Sequence, residues 1–185
     1  HGTAGTGKTY CAINLALDSL LNVGDVNKIV IVRSAVPTRN MGFMPGSVQE
    51  KASLFEGPYS QLFNDNLKRG DGYDVLKTKG LVEFVTTSYL RGITLENAFV
   101  IVDEIQSFNF PELDTICTRL GENCKVIFCG DTKQTDLRNK NDPSGLPKFL
   151  NIVEKMDSFK TLTFTADDIV RSGLVKEYIL AKEDC

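Results

Sequence analysis

The sequence has few of the residues with which proteins build metal centres and disulfide frameworks. Among its 185 residues there is one histidine, and none of the five cysteines belongs to a CxxC pair, so a structural zinc site is not expected. Cys124 and Cys129 flank a predicted buried strand, where a free thiol behaves as a small apolar group. With an odd cysteine count, these positions favour a reducing, cytoplasmic location over a disulfide framework.

Long apolar runs and an excess of positive charge are also absent. No apolar run approaches the ~20 residues that cross a bilayer, and no signal peptide is visible, so no membrane partner is expected. The net charge of −3 means that any binding to nucleic acid would have to use a local basic patch. The length and the 42% of apolar residues are those of one globular domain with a sizeable core.

What the sequence does contain is a phosphate-binding loop. Residues 2–9, GTAGTGKT, match the pattern GxxxxGK(S/T) at every required position. Glycines let such a backbone curl so that its N–H groups point at a phosphate, and a helix predicted over 10–17 would add its positive end. In this pattern Lys8 is expected to reach the β- and γ-phosphates of a nucleotide, and the Thr9 hydroxyl is expected to hold Mg²⁺.

A second signal for nucleotide chemistry is the run AFVIV at 98–102, which leads directly into Asp103 and Glu104. A continuous apolar run is typical of a strand buried on both faces of a parallel sheet, and open α/β sheets bind ligands at the carboxyl ends of their strands. Asp103 would orient the Mg²⁺ shell, and Glu104 would polarise the water that attacks the γ-phosphate. Taken alone, the run is equally compatible with a core strand that ends in a solvated acidic turn. The predicted nucleotide-binding residues are Gly2, Thr3, Ala4, Gly5, Thr6, Gly7, Lys8, Thr9 and Asp103.

Strand-like and helix-like segments alternate along the chain, which predicts an α/β fold with a mostly parallel sheet covered on both faces. The strands are predicted at 28–33, 81–85, 98–104, 124–129 and 161–164. The helices are predicted at 10–17, 111–120, 146–156 and 173–182. Between 47 and 68 two short helices are predicted, because Gly57-Pro58 interrupts the helical pattern. Residues 37–46, which contain two prolines and two glycines, are predicted to form a loop.

Two polar residues beyond the acidic pair are candidates for the reaction itself. Gln134 follows the predicted strand 124–129, where it could contact the γ-phosphate or the attacking water; the alternative is a plain Gly-Asp turn. Arg171 precedes the last predicted helix, and a guanidinium suits the charge that develops on a transferring phosphoryl group. The alternative for Arg171 is a surface arginine paired with Asp167 or Asp168.

Two further arginines are candidates for binding nucleic acid. Arg33 and Arg91 lie at or near the tips of predicted strands, where loops could follow a phosphate backbone while Tyr89 or Phe43 stacks on bases. Scattered surface arginines and half-buried aromatic residues would give the same spacing, so both interpretations stay open from the residues alone.

Several motifs, taken in order and at their spacing, resemble the PhoH family over nearly the whole chain. They are GTAGTGKT, IVRSAV, GFMPGSVQEK, SYLRGITLENAFVIVDEIQ, TRLGENCKVIFCGDTKQTDL and DIVRSGLV. The resemblance implies a single three-layer RecA-like ATPase domain over 1–185, similar to the first motor domain of superfamily 1 helicases. Because a phosphate loop normally follows a buried strand, we expect the chain to be truncated at its N-terminus and to lack that strand. Ser34 departs from the family pattern, in which a proline is expected.

The resemblance also implies cofactors and roles. ATP and Mg²⁺ are the expected cofactors, and Arg33 and Arg91 fall in segments that are tied to nucleic acid in the helicases. Gln134 falls in the segment that couples nucleotide to nucleic acid, and Arg171 matches an arginine-finger candidate. The leading hypothesis is therefore Mg²⁺-dependent ATP hydrolysis coupled to RNA or single-stranded DNA. The expected catalytic residues are Lys8, Glu104, Gln134 and Arg171.

A lone motor domain cannot alternate two domains across one nucleotide. We therefore expect a homo-oligomer, such as a hexameric ring, in which Arg171 lies on the rim of one subunit and reaches the nucleotide of its neighbour. Two rival hypotheses stay open. One is a nucleotide-gated binding module that turns over slowly and signals to a protein or RNA partner, and the other is a kinase of a small molecule.

Overall fold

The computed structural model describes residues 1–34, 48–131 and 145–183, with the side chains of 48–54 and 182–183 left out. The predicted loop at 37–46 and the predicted phosphate sensor Gln134 lie outside the described residues. None of the helices in the described part of the chain is both long and apolar enough to cross a membrane.

Within the ranges that the structure describes, four parallel strands form the sheet, as the continuous apolar runs predict. They are β1 (Lys28–Arg33), β2 (Val82–Thr86), β3 (Ala98–Val102) and β4 (Lys125–Phe128), in the spatial order β2-β1-β3-β4. In the register of the two central strands, Ile31 lies opposite Ile101 and Val32 opposite Val102. Every residue of β3 is buried, so the following Asp103 and Glu104 are delivered to the carboxyl edge of the sheet.

The described residues contain six α-helices. They are α1 (Lys8–Asp18), α2 (Val48–Leu67), α3 (Gly72–Thr78), α4 (Phe110–Thr118), α5 (Leu146–Val153) and α6 (Gly173–Glu183). Alternate residues of the central strands point to opposite faces. Ile31 and Ile101 share one buried cluster with side chains of α1, α2 and α3, whereas Val32 and Val102 share another with side chains of α4 and α5. The predicted arrangement of a parallel sheet with helices on both faces is confirmed.

The prediction of two short helices between 47 and 68 is wrong. The segment forms one helix, α2, with Pro58 inside it. An interior proline costs ~3 kcal/mol, but Tyr59 and Phe63 on the same helix are almost fully buried. Burying side chains of this size contributes ~1.5–3 kcal/mol each, so packing against the sheet outweighs the local preference for a break.

The predicted strand at 161–164 is also wrong, since only Phe164 pairs, in an isolated parallel bridge with Gly2. The Phe164 N–H donates to the His1 carbonyl at 2.8 Å, and the Thr3 N–H donates to the Phe164 carbonyl at 3.3 Å. On its other side Gly2 donates to the Gly130 carbonyl at 3.2 Å. Residues 1–3 therefore lie between the end of β4 and Phe164, and three residues offer too short a ladder for a regular strand. This placement starts the phosphate loop at the same edge as Asp103.

The other predicted elements are confirmed with small shifts of their ends, and one helix was not predicted. α4 starts at Phe110 because Asn109 and Glu112 form a capping box, each side chain accepting from the other's backbone N–H at 3.0 Å. The helix that was not predicted is α3, which begins at Gly72. Tyr73 and Leu76 of this helix are buried, so its stability comes from packing rather than from a strong local signal.

Candidate functional site

The phosphate loop has the backbone conformation that its glycines predict. Gly2, Gly5 and Gly7 have φ angles of 137°, 75° and 76°, values that residues with a side chain rarely adopt. A Cβ atom on Gly2 would lie 2.0 Å from the Phe164 carbonyl oxygen, so this position also needs glycine for close approach. Gly7 is the N-cap of α1 and has no side-chain cap among the described residues. The first N–H groups of α1 are thus left for an anion.

Lys8 is folded onto its own loop. Its Nζ donates to the carbonyl oxygens of Gly2 and Thr3 at 2.9 and 2.7 Å and to Thr6 Oγ1 at 3.3 Å. The ammonium group thereby reaches the centre of the loop from the first residue of α1. An incoming phosphate would compete with these neutral oxygens and would offer a charge-assisted bond in their place.

The two residues predicted to hold Mg²⁺ are in direct contact. The Thr9 hydroxyl donates to Asp103 Oδ1 at 3.0 Å, although 94 residues separate them in the chain. A hydroxyl beside a carboxylate is an all-oxygen pair of the kind that Mg²⁺ takes, with water and phosphate oxygens completing the shell. In the described part of the chain, no cluster of three or more His, Cys, Asp or Glu residues could hold a metal ion on its own. The oxygens of Thr9 and Asp103 fit a Mg²⁺ ion that would bind together with a nucleotide.

Glu104 stands beside this pair in a constrained backbone conformation. Its φ and ψ of 57° and 47° are left-handed, which is uncommon for a residue with a side chain and is found at functional sites. Burial, and then the negative charge of Asp103, raise the pKa of the Glu104 carboxyl. A carboxylate with a raised pKa is a stronger base, as activation of water requires.

Gln106 holds Glu104, and the sequence interpretation assigned it no role. Its Nε2 donates to Glu104 Oε2, and its Oε1 accepts from the Asp131 N–H at 3.1 Å. A Cβ atom on Gly130 would lie 2.7 Å from Gln106 Oε1, so the glycine after β4 makes room for this bridge. The signal was present in the motif VDEIQ, where the glutamine follows the acidic pair by two positions.

The loop, the acids and one face of α2 enclose a cleft of about 860 Å³. This volume lies in the range of small-molecule and cofactor sites. Phe55, Pro58 and Leu62 form an apolar wall from α2, facing the polar side formed by Lys8 and Asp103. The cleft can therefore shield a reacting phosphate from bulk water on one side.

A family model described as PhoH-like protein matches residues 1–183. The chain belongs to the PhoH family. It is 36% identical over 181 residues to a PhoH-like protein of Bacillus subtilis (strain 168), which covers 97% of this chain and 56% of that protein. Against a PhoH-like protein of Synechocystis sp. the identity is 36% over 183 residues, or 98% and 55% of the two chains.

Protein PhoH of Escherichia coli (strain K12) is 35% identical over 186 residues, which cover 97% of this chain and 51% of the relative. The chain thus spans about half the length of the curated relatives that it matches. The PhoH family is a P-loop ATPase-like family, in agreement with the loop and the acidic pair described above.

In this PhoH-family chain, the two arginines that were predicted to bind nucleic acid line two different cavities. Arg33, the last residue of β1, lines the nucleotide cleft, and its Nη1 lies 3.8 Å from Asp103 Oδ2. Arg91 is exposed and lines a separate cavity of about 330 Å³ beside the start of α4. Only Arg91 therefore lies away from the nucleotide cleft.

Arg171 lines the same cleft as the phosphate loop of its own chain. The preceding Val170 donates its N–H to the Gly5 carbonyl at 3.1 Å, and a Cβ atom on Gly5 would lie 2.9 Å from Arg171 Cγ. The residue is exposed, as a rim position requires, but it also lies against its own loop. This position differs from the expected one, in which Arg171 would lie on the rim and reach only the nucleotide of a neighbouring subunit.

Replacing Lys8 tests the site directly. Lys8→Ala removes the ammonium group at the centre of the loop, so the affinity for an ATP analogue should fall by at least tenfold in calorimetry. Lys28→Ala is the matched control, because Lys28 pairs with Glu83 at the opposite end of β1. Equal affinity of Lys8→Ala and the control would show that this loop does not bind the nucleotide phosphates.

Proposed function

We propose that this PhoH-family chain binds ATP with Mg²⁺ and hydrolyses it. The observation that carries the proposal is the contact between Thr9 and Asp103 at 3.0 Å, with Lys8 and Glu104 lining the same cleft. Anion-binding backbone, a metal-binding oxygen pair and a candidate base are the three parts that phosphoryl transfer to water requires.

Each residue would have a distinct part in the reaction. The N–H groups of the loop and Lys8 would bind the phosphates, and Thr9 with Asp103 would hold Mg²⁺, which neutralises phosphate charge when it is bound. Glu104 would orient a water molecule and accept its proton at a carboxylate oxygen as the water oxygen attacks the γ-phosphorus. The bond between the γ-phosphorus and the β,γ-bridging oxygen would break, so that ADP and inorganic phosphate are the products. Arg171 would donate to the phosphoryl oxygens, on which negative charge develops.

Coupling to RNA or single-stranded DNA is the second part of the proposal. Arg91 supports it, because it is exposed next to Tyr89, which is 43% exposed, and an arginine beside an exposed aromatic ring suits a single strand. We further propose that the protein works in the cytoplasm as a homo-oligomer.

A nucleotide-gated binding module remains the alternative, and the hydrogen bonds of Lys8 favour it. Its ammonium group donates to carbonyl oxygens of its own loop. Lys8 would have to exchange these oxygens for phosphate oxygens before turnover. Measuring kcat with and without RNA separates the two functions, because only a coupled ATPase should be strongly stimulated.

Substitution of Glu104 distinguishes hydrolysis from binding. Glu104→Gln keeps the shape but loses the base, so kcat should fall by ~10²–10⁴-fold while ATP still binds. The rate of ADP release should be measured without any acceptor, which also excludes a small-molecule kinase if the wild type releases ADP. Glu83→Gln, far from the cleft, is the control.

The Glu104→Gln substitution should also affect the stability of the folded protein. Folding raises the pKa of the Glu104 carboxyl. Ionisation of this carboxyl therefore lowers the free energy of unfolding as the pH rises above the pKa of an unfolded glutamate. Glu104→Gln should therefore unfold at pH 7 at the same or a higher temperature than the wild type. In the wild type without nucleotide or metal, the pKa of the Glu104 carboxyl should lie above that of an ordinary glutamate. Normal hydrolysis by Glu104→Gln would contradict the assignment of the base.

Arg91 tests the coupling to nucleic acid. Arg91→Gln should weaken binding to single-stranded RNA and lower the slope of log affinity against log salt by roughly 0.7–0.9, while the affinity for ATP stays unchanged. Arg69→Gln is the control, since Arg69 is exposed but pairs with Asp71. If both variants keep the wild-type slope, Arg91 does not contact the strand.

Substitution of Arg171 tests whether its guanidinium acts on the nucleotide of its own subunit or on that of a neighbour. Its position against its own loop favours action within one subunit, and an arginine of this kind is worth ~10³–10⁵-fold in rate. Arg171→Ala should therefore bind ATP but be nearly inactive. Mixing it with Lys8→Ala should restore nothing, even where mass measurements show mixed oligomers. Recovered activity in the mixture would instead assign Arg171 to a neighbour's nucleotide.

A further inference from the structure

Tyr59 occupies a position that no motif in the sequence indicates. It lies in the second half of α2, its side chain is 4% exposed, and it lines the nucleotide cleft. Its ring packs at a tilt against Phe84 of β2, with ring centroids 5.6 Å apart. The ring is thus part of the core, while the hydroxyl reaches the site.

The Tyr59 hydroxyl binds the carboxylate that is expected to hold the metal. It donates to Asp103 Oδ2 at 2.7 Å and accepts from Arg33 Nη1 at 3.1 Å. The direction of both bonds is fixed by chemistry, because a guanidinium can only donate and a carboxylate can only accept. Arg33 therefore leaves the single hydroxyl proton of Tyr59 to point at Asp103.

The two oxygens of Asp103 are held from different elements. Thr9, from α1, donates to Oδ1, whereas Tyr59, from α2, donates to Oδ2. A carboxylate bound at one oxygen only can rotate about its Cβ–Cγ bond, because that torsion is broad. With Oδ2 anchored by Tyr59, the other oxygen keeps facing Thr9, where the metal would bind.

We propose that Tyr59, oriented by Arg33, is a positioning residue that fixes the Asp103 carboxylate for Mg²⁺ in the nucleotide complex. The inference rests on the proposed function, since it concerns the metal of that same site. It also gives Arg33 a role inside the cleft in place of the nucleic-acid contact expected from the sequence. Groups that orient a metal ligand typically change metal affinity by ~10–100-fold when they are removed.

Tyr73 provides a matched control within the same protein. It belongs to the same buried cluster as Tyr59 and is equally enclosed, and its ring packs on Phe63. Its hydroxyl, however, donates to Glu56 at 2.5 Å, and neither residue lines the nucleotide cleft. Tyr59→Phe and Tyr73→Phe therefore remove the same group from the same core, but only the first removes a bond to Asp103.

The test is a Mn²⁺ titration of the protein bound to a non-hydrolysable ATP analogue, read from the electron paramagnetic resonance signal of free Mn²⁺. Tyr59→Phe should bind Mn²⁺ ~10–100-fold more weakly than the wild type, whereas Tyr73→Phe should match the wild type. Binding of the analogue in the presence of a chelator should be the same in all three proteins. Arg33→Met, which removes the guanidinium that donates to the Tyr59 hydroxyl, should also weaken Mn²⁺ binding. It keeps the inference testable if Tyr59→Phe does not fold.

The outcomes separate this inference from the function on which it rests. If the wild type binds Mn²⁺ with the analogue and Tyr59→Phe binds it equally well, Tyr59 does not position the ligand, while the proposed function stands. Equal losses in Tyr59→Phe and Tyr73→Phe would assign the effect to core stability and would also overturn the inference. A wild type that binds no Mn²⁺ in the presence of the analogue would reject the proposed function, and this inference with it.

Discussion

The burial of one negative charge organises the site. Asp103 is only 5% exposed, and a buried carboxylate is costly unless hydrogen bonds and a counter-charge compensate it. The compensation comes from three elements that are distant in sequence: Thr9 on α1, Tyr59 on α2 and Arg33 on β1. Because each donor must be in place for the charge to be tolerated, the charge fixes the position of both helices relative to the carboxyl edge of the sheet.

The same constraint explains why α2 continues through Pro58. Tyr59 follows the proline directly, and a break there would disturb the side chain that donates to Asp103. Phe63, one turn later, is completely buried against the sheet. The helix is therefore held directly after the proline by two contacts, the hydrogen bond from Tyr59 to Asp103 at the cleft and the apolar packing of Phe63 in the core.

A second set of contacts connects Glu104, the candidate base, to the end of β4. Gln106 binds Glu104 with one end of its amide and the Asp131 N–H with the other. Gly130 allows the close approach that this bridge requires. The bridge therefore connects the candidate base to Asp131, the last described residue of the segment that follows β4.

Much of this protein could be predicted from its sequence. The phosphate loop, the acidic pair and the four strands of the sheet all follow from local patterns, because glycine spacing and continuous apolar runs depend on nearby residues alone. Parallel strands then bring their carboxyl ends to one edge, which is why the contact between Thr9 and Asp103 could be expected. The distance of 3.0 Å between their side chains could not be predicted from the sequence.

Only the tertiary structure decided the remainder. The continuity of α2, the loss of the strand at 161–164 and the roles open to Tyr59 and Gln106 all depend on partners far away in the chain. Arg33 shows most clearly what the sequence cannot predict. A residue at a strand tip can face solvent or a cleft, and the sequence alone does not indicate which. The neighbouring helix decides it, by placing a hydroxyl 3.1 Å from the guanidinium and a buried carboxylate beyond it.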